Sequence, residues 1–169
     1  TSAGETLHQG IEAAGRFSSK AAYGTPVDLY LDATVTWVGT AEFRGARFST
    51  VPGFTAVSVS GNRLPYAPEW TARAAVGFET DAGLQGEVEA VHTGEMFADD
   101  LNTVAPTADG QRGRIPSALV WNLAASWRVP NTAVKLLASV RNVFDETYIV
   151  DRARGVLPGE PRIAQIGLE

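Results

Sequence analysis

The stretch Leu119–Arg128, LVWNLAASWR, alternates without a break. Leu119, Trp121, Leu123, Ala125 and Trp127 fall on one face of an extended chain, and Val120, Asn122, Ala124, Ser126 and Arg128 on the other. A period of two over this length belongs to a strand, since the apolar residues of a helix would recur every three or four positions. Outward from this stretch the same period returns. Trp70, Ala72, Ala74, Val76 and Phe78 oppose Thr71, Arg73, Ala75, Gly77 and Glu79. Leu29, Leu31, Ala33, Val35 and Trp37 oppose Tyr30, Asp32, Thr34 and Thr36. Leu84, Val88 and Ala90 oppose Gln85, Glu87, Glu89 and Thr93, and Val134, Leu136, Ala138 and Val140 oppose Lys135, Ser139 and Arg141. Two weaker segments bracket these. Near the start, Leu7, Ile11, Ala13 and Phe17 face away from His8, Glu12 and Arg16; at the end, Ala164, Ile166 and Leu168 face away from Gln165 and Glu169.

The fold class is therefore all-β, with about seven strands of roughly 9 to 14 residues. A tilted strand needs about 9–11 residues to cross a bilayer, whereas strands of soluble sheets usually run to about 5–6. The connections alternate in length. Thr80-Asp81-Ala82-Gly83 and Pro130-Asn131-Thr132 read as tight turns, and Ser18 to Val27 as a moderately short link. Glu42 to Pro68, Phe97 to Pro116 and Tyr148 to Pro161 are long and rich in Gly, Pro, Asp and Arg. Short periplasmic turns and long extracellular loops are the pattern of an outer-membrane barrel.

Phe17, Trp37, Trp70, Phe78, Phe97 and Trp127 sit near predicted strand ends, as interfacial aromatic girdles require. A soluble β-sandwich also places aromatics inward, so that architecture stays open at this point. The polar face carries Glu12, Asp32, Arg73, Glu79, Glu87, Glu89, Lys135 and Arg141 in mid-strand among Ala, Gly and Thr. Such a mixture suits a wet lumen packed against a plug.

Composition excludes more than it selects. The net charge of −5 lacks the basic stripe of a nucleic-acid binder. Cysteine is absent, so there is no disulfide framework, thiolate metal site or thiol nucleophile. No stretch approaches the roughly 20 apolar residues of a transmembrane helix. The mean hydropathy of −0.05 is compatible with barrel strands, whose alternation averages out. The start at Thr1-Ser2-Ala3 and the end at Gly167-Leu168-Glu169, in mid-pattern, read as those of a segment of something longer.

Five blocks, in order, resemble TonB-dependent receptors: HQGIEAAGRF (His8–Phe17), LPYAPEW (Leu64–Trp70), GRIPSALVWNLAASW (Gly113–Trp127), VRNVFDETYIVDR (Val140–Arg152) and GEPRIAQIGLE (Gly159–Glu169). The resemblance implies that residues 1–169 are the C-terminal part of a 22-stranded transmembrane antiparallel barrel. A plug domain, a TonB box and the earlier strands would lie elsewhere in the polypeptide. Seven strands cannot close a barrel, and lipid does not tolerate an open edge. The aromatic residue with which that family usually ends is not in this stretch. The implied activity is uptake of a scarce nutrient across the outer membrane of a Gram-negative bacterium. The implied partners are TonB, the protein's own plug and remaining strands, outer-membrane lipid and lipopolysaccharide, and the ligand, with no nucleic acid. DGQRGRIPSALVWN (Asp109–Asn122) and YIVDRARGVLPGEPR (Tyr148–Arg162) resemble receptors for ferric citrate and related iron chelates.

Residue chemistry agrees with an anionic chelate. The long loops carry Arg44, Arg47, Arg63, Arg112, Arg114, Arg152 and Arg154, and the guanidinium fork binds carboxylates bidentately. Arg44, Arg47, Arg112, Arg114, Arg152 and Arg154 are the candidate ligand contacts. Pairing with Asp99, Asp100, Asp109, Asp151 and Glu160, or with lipopolysaccharide, is the plainer alternative. Arg73, Glu87, Glu89, Lys135 and Arg141 are the candidate plug-facing residues of the lumen. His8 and His92 lack metal-ligand spacing, and Asp99-Asp100 followed by Asn102 lacks the EF-hand pattern and reads as a solvated loop. No catalytic triad, phosphate loop, metal site or cofactor is expected, and no enzyme activity. A passive porin and a soluble binding module remain as alternatives to active transport.

Overall fold

The computed structural model describes residues 4–169. In chain order its strands are β1 (Glu5–Ser18), β2 (Val27–Arg44), β3 (Trp70–Thr80), β4 (Leu84–Thr93), β5 (Met96–Phe97), β6 (Arg114–Ile115), β7 (Ala118–Arg128), β8 (Lys135–Arg141), β9 (Ile149–Asp151), β10 (Leu157–Pro158) and β11 (Ile163–Leu168). One helical turn, α1 (Ser19–Tyr23), follows β1. A seven-stranded antiparallel sheet runs in the order β1-β2-β3-β4-β7-β8-β11, and β5–β6 and β9–β10 are separate two-stranded ribbons in the loops. Every alternating segment of the sequence is thus a strand of one sheet. β1, read as a weak segment, is instead a full strand of 14 residues.

The register sorts the side chains into faces. Phe17, Leu31, Val76, Val88, Leu123, Val140 and Ala164 are successive cross-strand neighbours and form one apolar row across the whole sheet. On the other face the next row reads Ser18, Tyr30, Gly77, Glu87, Ala124, Ser139 and Gln165. Val76 is 59% exposed and Leu123 39%, so among the described residues no second sheet packs on the apolar row. The sandwich, which buries that row, is excluded. Hydrocarbon is the medium that suits such a face.

The turns follow from local chemistry. Gly83 has φ +79 and closes the β3–β4 turn by donating to the Thr80 carbonyl at 2.9 Å. Asn131, with φ +60, takes the left-handed position between β7 and β8, which Asn tolerates, and the next amide, of Thr132, donates to the Val129 carbonyl at 3.3 Å. Ser18 caps α1 by accepting from the Ala21 amide, and Gly24 ends it with φ +67.

β2 runs well past its expected end. Between the pairs Ile11↔Trp37 and Gln9↔Thr40 the register slips, with one more residue on β2 than on β1. A bulge of this kind reverses the side-chain phase of the strand beyond it. Ala41 and Phe43 consequently turn inward and are buried, while Glu42 and Arg44 join the opposite face. The first long loop, 45–69, folds onto Ala41 and Phe43. Val59 is fully buried there, and Leu64 and Gly61 donate to the Ala41 and Phe43 carbonyls at 2.7 and 2.8 Å. Loops 94–117 and 142–162 stand beside it at the same end of the sheet, opposite the short turns.

Candidate functional site

Two polar assemblies stand on this frame. The first is a belt on the face opposite the apolar row. Arg73 on β3 is its centre. Its guanidinium donates to Asp32 of β2 at 2.7 Å, pairs with Glu89 of β4, and lies 3.7 Å from Glu87. Tyr30 donates its hydroxyl to Glu87 at 2.9 Å, and Asn122 of β7 donates its amide to Glu89 at 2.8 Å. Arg16 of β1 stacks over the Tyr30 ring at 4.8 Å. The Tyr30 ring lies across Gly77, where a Cβ would collide with it. Strand register produces the belt, because Asp32↔Ala75↔Glu89↔Asn122 are direct neighbours and Arg73 reaches the row diagonally.

Arg141 borders the same belt and shares a small hollow of about 190 Å³ with Glu87, Glu89 and Asn122. Its guanidinium also pairs with Glu160 at 2.9 Å, tying β8 to the third long loop. Four of the five residues expected on the lumen face are therefore brought together. Lys135 stands apart at the short-turn end, 4.0 Å from the Glu169 carboxylate. Three members of the belt, Tyr30, Asp32 and Asn122, were not among the expected site residues. All three sit at polar positions of the alternation, so the pattern held their signal, but only register shows which of them meet.

The second assembly is the loop cluster. It encloses a cleft of about 460 Å³ lined by Arg47, Arg112, Thr50, Asp99, Asp100, Asp109 and their neighbours. Arg47 lies over the Phe43 ring at 5.5 Å and Arg112 over Phe54 at 5.4 Å. These two of the predicted loop arginines meet in one cavity. Others serve elsewhere. Arg44 lies beyond the bulge, pairs with Glu42 at 2.8 Å and does not line the cleft. Arg114 is held at 2.9 Å by Glu95 and stacks on Phe97. Arg63 is a brace, donating to the Ala67 and Val38 carbonyls at 2.7 and 2.8 Å. Arg152 is 4% exposed and donates to the Gly110 carbonyl at 3.1 Å. Arg154 is exposed and contributes nothing to the cleft wall.

Asp99 and Asp100 correct the reading of a solvated loop, since both are buried. The Asp100 carboxylate accepts from the Ser49 hydroxyl at 2.7 Å and the Thr50 amide at 2.6 Å. Burial raises the affinity of Asp100 for its proton, and these donors, with the Thr50 hydroxyl and nearby Arg47, more than reverse that, holding the carboxyl below its ordinary range. Asp99 accepts from the Leu101 amide at 3.0 Å and the Thr103 hydroxyl at 2.9 Å. Asn102, at φ +53, exchanges hydrogen bonds with the Arg63 backbone. Asp100 and Asn102 thus weld the second loop to the first, while Asp99 braces the second loop from within. Phe97 is likewise corrected, because it lies in the β5–β6 ribbon under Arg114 and not at an end of the main sheet.

A family model described as TonB dependent receptor-like, beta-barrel matches residues 1–143. The chain belongs to this family. Among solved structures, the ferric citrate transporter FecA in its unliganded form superposes with a TM-score of 0.78 at 26% identity, over 96% of this chain and 24% of that one. The ferric-catecholate import receptor Fiu from K12 E. coli gives 0.66 at 17% identity, over 98% and 21%. The siderophore receptor PiuA from Acinetobacter baumannii gives 0.65 at 18%, over 84% and 21%. The chain spans about a quarter of these receptors' length or less.

In a TonB-dependent receptor barrel one face of the wall meets lipid and the other the lumen, and the belt lies on the face opposite the apolar row. The receptor-like VRNVFDETY block now has a physical explanation. Asn142 is 2% exposed, with φ +50. Its side-chain amide donates to the Glu146 and Glu160 carbonyls, both at 2.9 Å, and its side-chain carbonyl accepts from the Glu146 amide at 2.8 Å. Its backbone amide donates to Asn122 of the belt at 3.0 Å. Asp145 then accepts from the Arg162 amide at 2.8 Å. The motif therefore closes the base of the third loop and links it to the lumen wall.

Proposed function

We propose that residues 1–169 form the C-terminal part of a 22-stranded outer-membrane barrel whose complete polypeptide imports an iron chelate, driven through TonB. The observation that carries this reading is the ordered, densely paired belt opposite a continuous apolar row. Carboxylates, an arginine and an asparagine held in one ordered network offer a folded plug fixed partners for its buried polar groups. Arg73, Glu87, Glu89 and Arg141 are that seat, and Lys135 serves the periplasmic rim. The likeness at 26% identity to a ferric citrate transporter supports the choice of an iron chelate.

The ligand side of the reading rests on the loop cleft. Arg47 and Arg112 lie over aromatic rings in the cleft, and the guanidinium fork pairs bidentately with carboxylates. An anionic, carboxylate-bearing iron chelate is the matching substrate class. The protein resides in the outer membrane of a Gram-negative bacterium, with long loops outside and short turns in the periplasm.

The test is growth on ferric citrate as sole iron source under starvation, with and without the gene and with TonB disabled. Growth that needs both gene and TonB is the expected result. Gene-dependent uptake that continues without TonB and rises linearly with concentration indicates a passive pore and overturns the energised mechanism. If removal of the gene changes growth on no ferric chelate tried, the substrate class is wrong.

A further inference from the structure

The three long loops are not joined equally. The first and second are stitched together along their length by Asp100 with Ser49 and Thr50, by Asn102 with Arg63, and by the Asn62 amide on the Asp100 carbonyl. Among the described residues, the third loop is hydrogen-bonded to the other two at one place. There the Tyr66 hydroxyl donates to the Asp151 carboxylate at 2.6 Å and accepts from the Arg152 amide at 3.2 Å, and the Arg152 guanidinium donates to the Gly110 carbonyl. Tyr66 is anchored on its other side, its backbone amide donating to the Phe97 carbonyl at 2.9 Å. Its φ is +55, a conformation that bulky side chains rarely adopt and that persists only where surrounding contacts impose it.

The neighbours of this contact face the cleft. Pro65 precedes Tyr66 and Ala153 follows Arg152, and both line the cavity that holds Arg47 and Arg112. We propose that Tyr66 is a latch that holds the third loop as a movable wall of the Arg47–Arg112 cleft, and that the wall swings outward when the latch releases. The inference deepens the import reading and rests on it for the nature of the ligand.

The closed wall is held weakly. The Tyr66–Asp151 bond is exposed, so water replaces either partner readily. Arg152 is buried with its Nε unpartnered among the described residues, and a buried cation satisfied by one carbonyl is costly to keep in place. Opening rehydrates that guanidinium. The base of the loop does not move with it, because Asn142 and Asp145 clamp both ends to the barrel. The hinge therefore lies between that clamp and Asp151, and the segment 148–158 is the part that swings.

Amide hydrogen exchange on the complete, ligand-free receptor in detergent micelles tests the latch without any ligand. Tyr66→Phe removes only the hydroxyl, and Asp151→Ala removes its partner. Both variants are expected to speed exchange in 148–158 by about tenfold, the loss of one charge-assisted hydrogen bond, and to leave 97–104 unchanged. A cysteine replacing Ala98 in the cleft wall, treated with a membrane-impermeant maleimide, should label several-fold faster when combined with either variant. Unchanged exchange in both variants shows there is no latch. Equal acceleration in 97–104 shows a general loosening of the cluster instead of one moving wall. Faster exchange with unchanged labelling shows a latch that does not guard the cleft. Each of these overturns the proposal, and none depends on growth on ferric citrate, which tests the import reading separately.

Discussion

Asn142 has no charge and touches no cavity that could take a ligand of size, yet it joins a loop, a strand and the lumen belt. Its left-handed backbone suits Asn, and its side chain makes three hydrogen bonds across the base of the loop. Asn142→Ala is expected to cost about 2–4 kcal/mol, from the three lost hydrogen bonds and the strained φ. Asn142→Gly, which relieves only the strain, should recover part of that. The fraction of receptor that stays folded in a heat-modifiability gel, titrated with urea, reads both. Asp100 gives a pH signature. Its carboxyl is held below its ordinary value in the folded state, so its contribution is complete above about pH 4 and is lost as pH falls through the lower, folded value. The protection of the Thr50 amide, which donates to it, measured against an unstructured amide at the same pH, should therefore stay high through neutral and mildly acidic pH and fall only below about pH 4.

At the scale of the strand, the two faces make opposite demands on the same backbone. Leu123 and Ala124 are adjacent in β7, the first in the apolar row and the second beside Glu87 in the polar one. Leu123→Arg should destabilise insertion by about 2–4 kcal/mol, as expected for arginine near a bilayer midplane. Ala124→Arg, one residue along, should cost markedly less, since Glu87 is its cross-strand neighbour. Equilibrium folding into lipid vesicles distinguishes them, and equal penalties would refute the assignment of faces. The alternation was legible from sequence because it is local. The bulge in β2 was not, since it is defined by pairing with β1. It moved Arg44 away from the cleft and turned Phe43 inward to carry Arg47.

At the scale of the whole molecule, the belt couples four strands and the third loop through Asp32, Arg73, Glu89, Asn122 and Asn142. Arg73→Ala leaves Asp32, Glu87 and Glu89 without their shared cation. The expected loss is about 1–2 kcal/mol, between the exposed and buried limits for ion pairs, because the network is half-exposed. If the belt seats the plug as proposed, the same change should also loosen that seat in the complete receptor. Cells carrying it are expected to admit hydrophilic antibiotics that the native receptor excludes, and unchanged susceptibility would argue that the belt braces the wall without holding a plug.

The existence of the strands, the side of the sheet each residue takes short of the β2 bulge and the position of the short turns were decided by the sequence alone, because a period of two and a Gly or Asn at a left-handed position act within a few residues. The family-like blocks carried the same local information. Which loop residues meet was decided by tertiary structure. Asp100 finds Ser49, and Tyr66 finds Asp151, across long stretches of chain. Loops without a repeating period have their contacts set by strand register and by the bulge that aims β2, and both are properties of paired strands that no single segment encodes.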